Sequence, residues 1–555
     1  DQTLMDDAYS RSGYIVDLHD RTIFPGRCRV LNGVVDRIEP ADEVPDQFLL
    51  PGLIDAHVHV ESSMLPPSEF ARVAVVHGTV GSVSDPHEIA NVLGVDGVDY
   101  MLDDSQRVPF RFAFGAPSCV PATPFETAGA EIDADAVEAL LDRQEIPYLS
   151  EMMNVPGVLN GDPDVRAKIE AARRRGKPRD GHAPGVRGAD ARVYAEAGIQ
   201  TDHECVAIEE AREKLDAGMK IAIREGSAAK NFDALIPLID EAPERIMFCS
   251  DDKHPDDLAD GHINVLVRRA LDRGYNRFDV LRAACVHPVE QYGMNVGLLR
   301  EGDPADFIIV DGLNTMNVLE THVGGVQVAD RGESLIDRTS SAVVNRFEAG
   351  RLRVPADGAR IRVITASDNE LVTGEEIADA TLQNGAAVAD PQRDLLKIAV
   401  VNRYRDAEPS VAFIRGFGLT EGALASSVAH DSHNVVAVGA SDEALARAVN
   451  AVIDARGGIS AADANGETKL LPLPIAGLMT DEPYPDVARA YTQLAGFAQT
   501  RLGSSMDAPF MTLSFMALLV IPQLKLSDRG LFDGTPFTLS IGLSTVDVGS
   551  GHRLR

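Results

Sequence analysis

From residue 48 to about 255 the chain repeats one rhythm. A short apolar, β-prone run ends on a polar residue, and a segment with helical spacing of its apolar positions follows. The runs are FLLPGLIDAHVH, TVGSVSDPHE, FRFAFGAPS, PYLSEMM, KPRDGHAPG, IQTDHE, MKIAIREGS and IMFCSDD. Amphipathic stretches such as DADAVEALLDRQ and DVRAKIEAARRRG lie between them. Eight strand-then-helix units over roughly 250 residues predict a (β/α)8 barrel. In that architecture the chemistry gathers at the C-terminal ends of the strands. Here those ends carry His57, His59, Asp85, His87, Glu151, His182, His203, Arg224, Glu225 and Asp251.

Two flanking pieces, 12–49 and 297–340, alternate apolar and polar residues between Gly/Asp turns, as antiparallel strands do. The simplest assembly is an α/β chain with the barrel (50–296) inserted in a small β-sandwich (1–49 and 297–358). A further α/β domain (359–555) shows its own strand-and-helix rhythm. Neither a repeat of solenoid period nor a low-complexity segment is present in the sequence.

Composition narrows the partners. Against 85 acidic residues stand 52 basic ones, a formal net charge of −33. Nucleic acid and anionic membrane would be repelled by such a surface. Only nine of the basic residues are Lys, a bias that fits a salty cytoplasm or a GC-rich genome equally well. Cys28, Cys119, Cys205, Cys249 and Cys285 are scattered, odd in number and without a CxxC, which fits a reducing, cytoplasmic setting. The acidic start DQTLMDDAYS carries no signal-peptide pattern, although it also lacks an initiator Met and so fits a trimmed start. The most apolar stretch, APFMTLSFMALLVIPQL, is interrupted by Thr, Ser and Pro and is short for a membrane span.

The first run raises a chemical question. His57 and His59 stand two apart at the end of an apolar strand, so both imidazoles face the same side. Paired neutral imidazoles are a start to a transition-metal site and a poor way to build a core.

Several motifs together then resemble the adenine deaminase family of the amidohydrolase superfamily. They are PGLIDAHVHVESSM, SDPHEIANVLG, SEMMNVPGV, DGHAPG, DHECVAIEEAREKL, IREGSAAKN and CSDDKHP. SSVAHDSHNVVAVG and APFMTLSFMALLVIPQLKLSDRGLFDG resemble that family's own C-terminal domain, so the likeness covers nearly the whole chain. It implies hydrolysis of adenine to hypoxanthine and ammonia, with two divalent metals in a barrel. A mixed His/carboxylate set suits manganese, with iron or zinc as alternatives. The resemblance further implies a purine as the small-molecule partner and a homodimer or higher homo-oligomer.

In strand order, His57, His59 and Asp251 would hold one metal, His182 and His203 the other, and Glu151 would bridge. A metal-bound hydroxide would attack the ring carbon bearing the amino group. Amidohydrolases of cyclic amides place a carboxylated lysine at the bridge, but the nearest lysine here is Lys168, past a turn. Asp251 is expected to serve as general base and later acid, and Glu204, with Glu151 or Glu225 as reserve, as the ring-protonating group. Asp85 and His87 are read as an accessory metal pair, a supporting pair, or a polar turn around Pro86. Arg224, Glu225 and Ser227 would meet the purine edge, unless they only support their loop. His430, Asp431 and His433 could bind metal on their own, but are read as an exposed turn or as support for the neighbouring domain. Deaminases of the HxE–PCxxC class are excluded, since no CxxC follows. Three other readings are a deaminase of another aminopurine, a cyclic-amide amidohydrolase, and a barrel scaffold that has lost its ligands. The complete ligand set opposes the scaffold.

Overall fold

The computed structural model describes residues 8–350, 360–368, 370–384, 386–534 and 538–540. At its centre eight short strands follow one another in chain order. They are β1 (Leu53–Val58), β2 (Thr79–Ser84), β3 (Arg111–Phe114), β4 (Leu149–Met152), β5 (Arg179–Gly181), β6 (Thr201–Asp202), β7 (Lys220–Arg224) and β8 (Ile246–Cys249). Parallel pairing joins β1 to β2 to β3, β4 to β5, and β6 to β7 to β8. A parallel bridge Ala116–Leu149 links β3 to β4, and Gln200 N donates to Arg179 O at 2.9 Å between β5 and β6. A last parallel bridge, Val58–Asp251, returns the eighth strand to the first. Asp55 reinforces that junction. Its Oδ1 accepts from Ser250 N at 3.0 Å, and its Oδ2 accepts from Ser250 Oγ and contacts His262 Nε2.

Helices separate the strands for reasons visible in the sequence. Pro163–Arg174 starts behind Asp162, whose carboxylate accepts from Asp164 N and Val165 N, with Pro at the first helical position. Its buried face is Val165, Ile169 and Ala172, while Arg173 and Arg174 complement the carbonyl end. Lys168 is buried on this helix and pairs with Asp164 at 2.8 Å.

The two β-rich flanks join into one eight-stranded sheet, where 307–310 runs antiparallel to 48–51. The turn at Gly33 and the segments at 305 and 325 come together, since Ala305 N donates to Gly33 O and Gly325 lies against Gly33. They enclose a core of Ile15, Val30, Val35, Leu49, Phe307 and Ile309.

After residue 359 a second eight-stranded sheet forms, with helix Asp442–Asp454 packing Leu445, Ala448 and Val452 on one face. Its other face joins the large core that runs into the central strands. The apolar stretch near 510 forms a short buried helix, Pro509–Phe515, within that core. No helix among the described residues is long and apolar enough to cross a membrane. All five cysteines are buried free thiols.

Candidate metal centre

The alternation of β1 brings His57 and the adjoining His59 into one buried cluster, their rings 4.9 Å apart. Glu151 on β4 reaches into the middle of it. Its Oε1 lies 3.2 Å from His59 Nε2 and 3.9 Å from His57 Nε2. Its Oε2 lies 2.8 Å from His182 Nδ1 and 3.2 Å from His203 Nε2. One carboxylate therefore faces two imidazole pairs with different oxygens. Asp251, just past β8, completes the first group, with Oδ1 at 3.2 Å from His59 Nε2 and 3.6 Å from His57 Nε2. To point there it takes a left-handed backbone, φ 55°, of the kind that clusters at functional sites.

Several ring nitrogens in this cluster are left over. Neither nitrogen of His57 nor Nε2 of His182 has a hydrogen-bond partner among the described residues, though both side chains are buried. Buried unpaired donors or acceptors are costly, so such orphans call for a ligand. A mixed set of imidazole and carboxylate donors fits a first-row divalent cation. Groups such as His57–His59–Asp251 and His57–Glu151–His203 lie close enough to share one ion.

Charge is arranged to match. Burial alone would raise Glu151, but the imidazoles of His182, His203 and His59 outweigh it and hold the carboxylate well below its usual range. Burial and the His203 ring stacked at 3.9 Å push His57 down, which leaves its lone pairs free. Burial lowers His203 too, yet Glu151, Asp251 and Glu204 carry it to about 9. Protons and cations thus compete for the same nitrogens.

Arg224 lines the pocket over the cluster and faces two carboxylates there. Its Nη1 donates to Glu204 Oε1 and, at 2.6 Å, to Asp251 Oδ2, so it clamps two carboxylates instead of offering a free edge to a purine. Glu204 sits 3.5 Å from His182 Nδ1 and from His203 Nε2. Glu225 turns away and accepts from Arg269, because neighbouring residues at a strand end face opposite sides. Ser227 Oγ accepts from His254 N, on the far side of the loop. Arg224, Ala228 and Ala229 line the pocket over the cluster, whereas Glu225 and Ser227 do not.

Asp85 and His87 lie beside Glu151, with His87 Nδ1 3.0 Å from Asp85 Oδ2 and 3.5 Å from Glu151 Oε1. The exposed-turn reading of His430, Asp431 and His433 fails. All three are buried against residues near β1, β2 and β8, chiefly Glu88 and Asp252. Glu88 and Asp252 had escaped the sequence reading, although each is adjacent to a residue it singled out. The pocket wall also includes Leu371 and Leu518, which no local signal marks.

Residues 48–328 match the amidohydrolase family model, and 370–538 match the adenine deaminase C-terminal domain. The chain is 70% identical to adenine deaminase of Salinibacter ruber over 96% of its own length and 98% of that protein's. Adenine deaminase of Sulfurovum sp. is 56% identical over 95% and 98%, and that of Methanosarcina mazei 51% over 95% and 98%. Among solved structures, N-acetyl-D-glucosamine-6-phosphate deacetylase from Mycobacterium smegmatis matches at 16% identity and TM-score 0.46, over 58% of this chain and 99% of that one. The chain belongs to the adenine deaminase family, within the amidohydrolases.

Proposed function

We infer that this protein hydrolyses adenine to hypoxanthine and ammonia at the cluster around Glu151. The reading assigns residues 50–296 to a (β/α)8 barrel, 1–49 and 297–358 to a β-sandwich, and 359–555 to a C-terminal domain, acting as a cytoplasmic homo-oligomer. The observation that carries the site assignment is the division of Glu151, one oxygen toward His57 and His59, the other toward His182 and His203. Two divalent ions, manganese by preference and iron or zinc as alternatives, would be held by His57, His59 and Asp251 on one side. His182 and His203 would hold the other side, with Glu151 between. When bound, such ions supply Lewis acidity and bring the pKa of water down toward 7.

The remaining steps belong to the protein's own groups. Asp251 takes the first proton from the attacking water, because Arg224 anchors its other oxygen and keeps the carboxylate ionised. Glu204 takes the water's second proton and relays it to the ring nitrogen beside the attacked carbon, so that charge leaves the ring. Asp251 then passes its proton to the departing amine. Both protons of the water are thereby accounted for, one in ammonia and one on the ring. Arg224 contacts both carboxylates through one nitrogen, so either protonation change occurs beside the same compensating charge. Asp85 supports the site by fixing the His87 ring.

The test is a panel of adenine, guanine, 2,6-diaminopurine and adenosine offered to manganese-loaded protein, with ammonia and product measured. Adenine should give hypoxanthine and ammonia one for one. Intact adenine beside turnover of another purine would overturn the substrate.

A further inference from the structure

His87 has two different faces. Its Nδ1 meets Asp85 Oδ2 at 3.0 Å, and an ionised carboxylate can only accept, so the ring proton belongs there. Nε2 has no hydrogen-bond partner among the described residues, on a side chain that is only 3% exposed. Opposite it lie Glu88 Oε1 at 3.4 Å and Asp431 Oδ1 at 3.6 Å. Asp431 Oδ2 also lacks a partner among the described residues.

These separations discriminate between two explanations. Hydrogen bonds from Nε2 to these carboxylates would hold them at about 2.7–3.2 Å. Three donors around one ion with bonds of about 2.1 Å stand roughly 3.4 Å apart, the edge of a tetrahedron. The two spacings made by His87 Nε2 match the second, and all three donors lie within 4.8 Å of one another. Supporting contacts that metal ligands normally have are also present: Asp85 orients the His87 ring, and His433 Nε2 fixes Glu88 Oε2.

We propose that His87 Nε2, Glu88 and Asp431 bind a further divalent transition-metal cation, separate from the ions assigned around Glu151. One nitrogen and two carboxylates suit manganese, iron or zinc. His87 and Glu88 follow β2, whereas Asp431 comes from the sheet after residue 359, so the ion would pin the C-terminal region over the strand ends. The proposal uses the Glu151 reading only for the count of ions already assigned.

Full-length protein is stripped with chelator, reloaded with manganese, desalted and analysed for metal per chain. Wild type should hold three ions and Asp431→Asn two, with the variant showing a smaller manganese-dependent rise in melting temperature. Asp431→Asn keeps the side-chain shape, and its circular dichroism reports whether the fold is kept. Equal counts in the two proteins, whether two or three, would overturn the site. Glu151→Gln separates this proposal from the one it rests on. If Glu151→Gln loses an ion and Asp431→Asn loses none, the further site falls and the Glu151 pair stands; the reverse result sinks the pair and leaves the further site.

Discussion

Glu151→Gln is the sharpest perturbation of the proposed centre, because it changes charge and donor type at almost constant shape. The carboxylate offers one accepting oxygen to His59 and His57, at 3.2 and 3.9 Å, and the other to His182 and His203, at 2.8 and 3.2 Å. A carboxamide keeps only one oxygen, so one imidazole pair must face an N–H₂ group that cannot ligate. With free manganese at 100 times Kd, each intact site stabilises the fold by about 2.7 kcal/mol. Weakening one site 100-fold leaves about 0.4 kcal/mol from it, by the same relation. The chelator-dependent stabilisation from the pair should then drop from about 5.4 to about 3.1 kcal/mol.

Chelated Glu151→Gln should itself be less stable than chelated wild type, since removing one partner from a buried ionic cluster costs about 3–5 kcal/mol. For that reason the useful readout is the shift between chelated and manganese-loaded forms of each protein, followed by thermal unfolding. A chain with several domains does not guarantee two-state unfolding, which is a second reason to compare shifts. Turnover should fall by about three orders of magnitude or more, from loss of a positioned ion. A variant with the wild-type manganese count, the wild-type shift and turnover within tenfold would refute the bridging assignment.

Two further outcomes are expected. Glu204→Gln should slow adenine turnover by about 10²–10⁴-fold while metal content, read by elemental analysis, stays at the wild-type level. An unchanged rate would move the ring-protonating role to another carboxylate. Lys525 is fully buried, donates to the carbonyls of Leu371 and Phe515, and is pushed down to about 7 by desolvation. Between that value and its ordinary one the unfolded chain binds a proton that the folded chain lacks, so stability rises with pH above 7. Two units of pH are worth about 2.7 kcal/mol. Chelated wild type should therefore gain more than Lys525→Met on going from pH 7 to 9, and parallel melting curves would contradict this.

What the sequence disclosed, it disclosed through period. Strand alternation predicts that His57 and His59 share a face, and they do. The polar ends of eight runs nominate Glu151, His182, His203 and Asp251, and the structure gathers all four with the histidine pair. Period also explains two failures. Arg224 and Glu225 are adjacent, so they cannot both face inward, and Glu225 goes to Arg269. Ser227 lies beyond the strand, where alternation carries no information. The contacts of His433 with Glu88 and of His430 with Asp252 span 345 and 178 positions. No local pattern encodes a meeting at that distance, and the HDSH motif by itself was compatible with an exposed turn.

Those long-range contacts bear on why the segment after residue 359 accompanies the central strands at all. Glu88 Oε1 and Asp252 Oδ1 each lie 3.0 Å from His430 Nε2, and burial tends to raise both carboxyls while His430 lowers them. Without His430, Asp252 would share a desolvated wall with Asp251 and lose its imidazole, and Glu88 would be left to His433 and His87, an arrangement costing several kcal/mol. Leu371 and Leu518 add apolar cover over the same pocket. Excluding water there strengthens each ionic contact beneath, including the Arg224 clamp on Asp251 and Glu204. The strand ends supply the donors, but the charge balance and the dryness of the site come from the C-terminal region. The two parts therefore make one active unit, and the acidic character of the strand-end wall is offset by the imidazoles of His430 and His433, set against it from elsewhere in the chain.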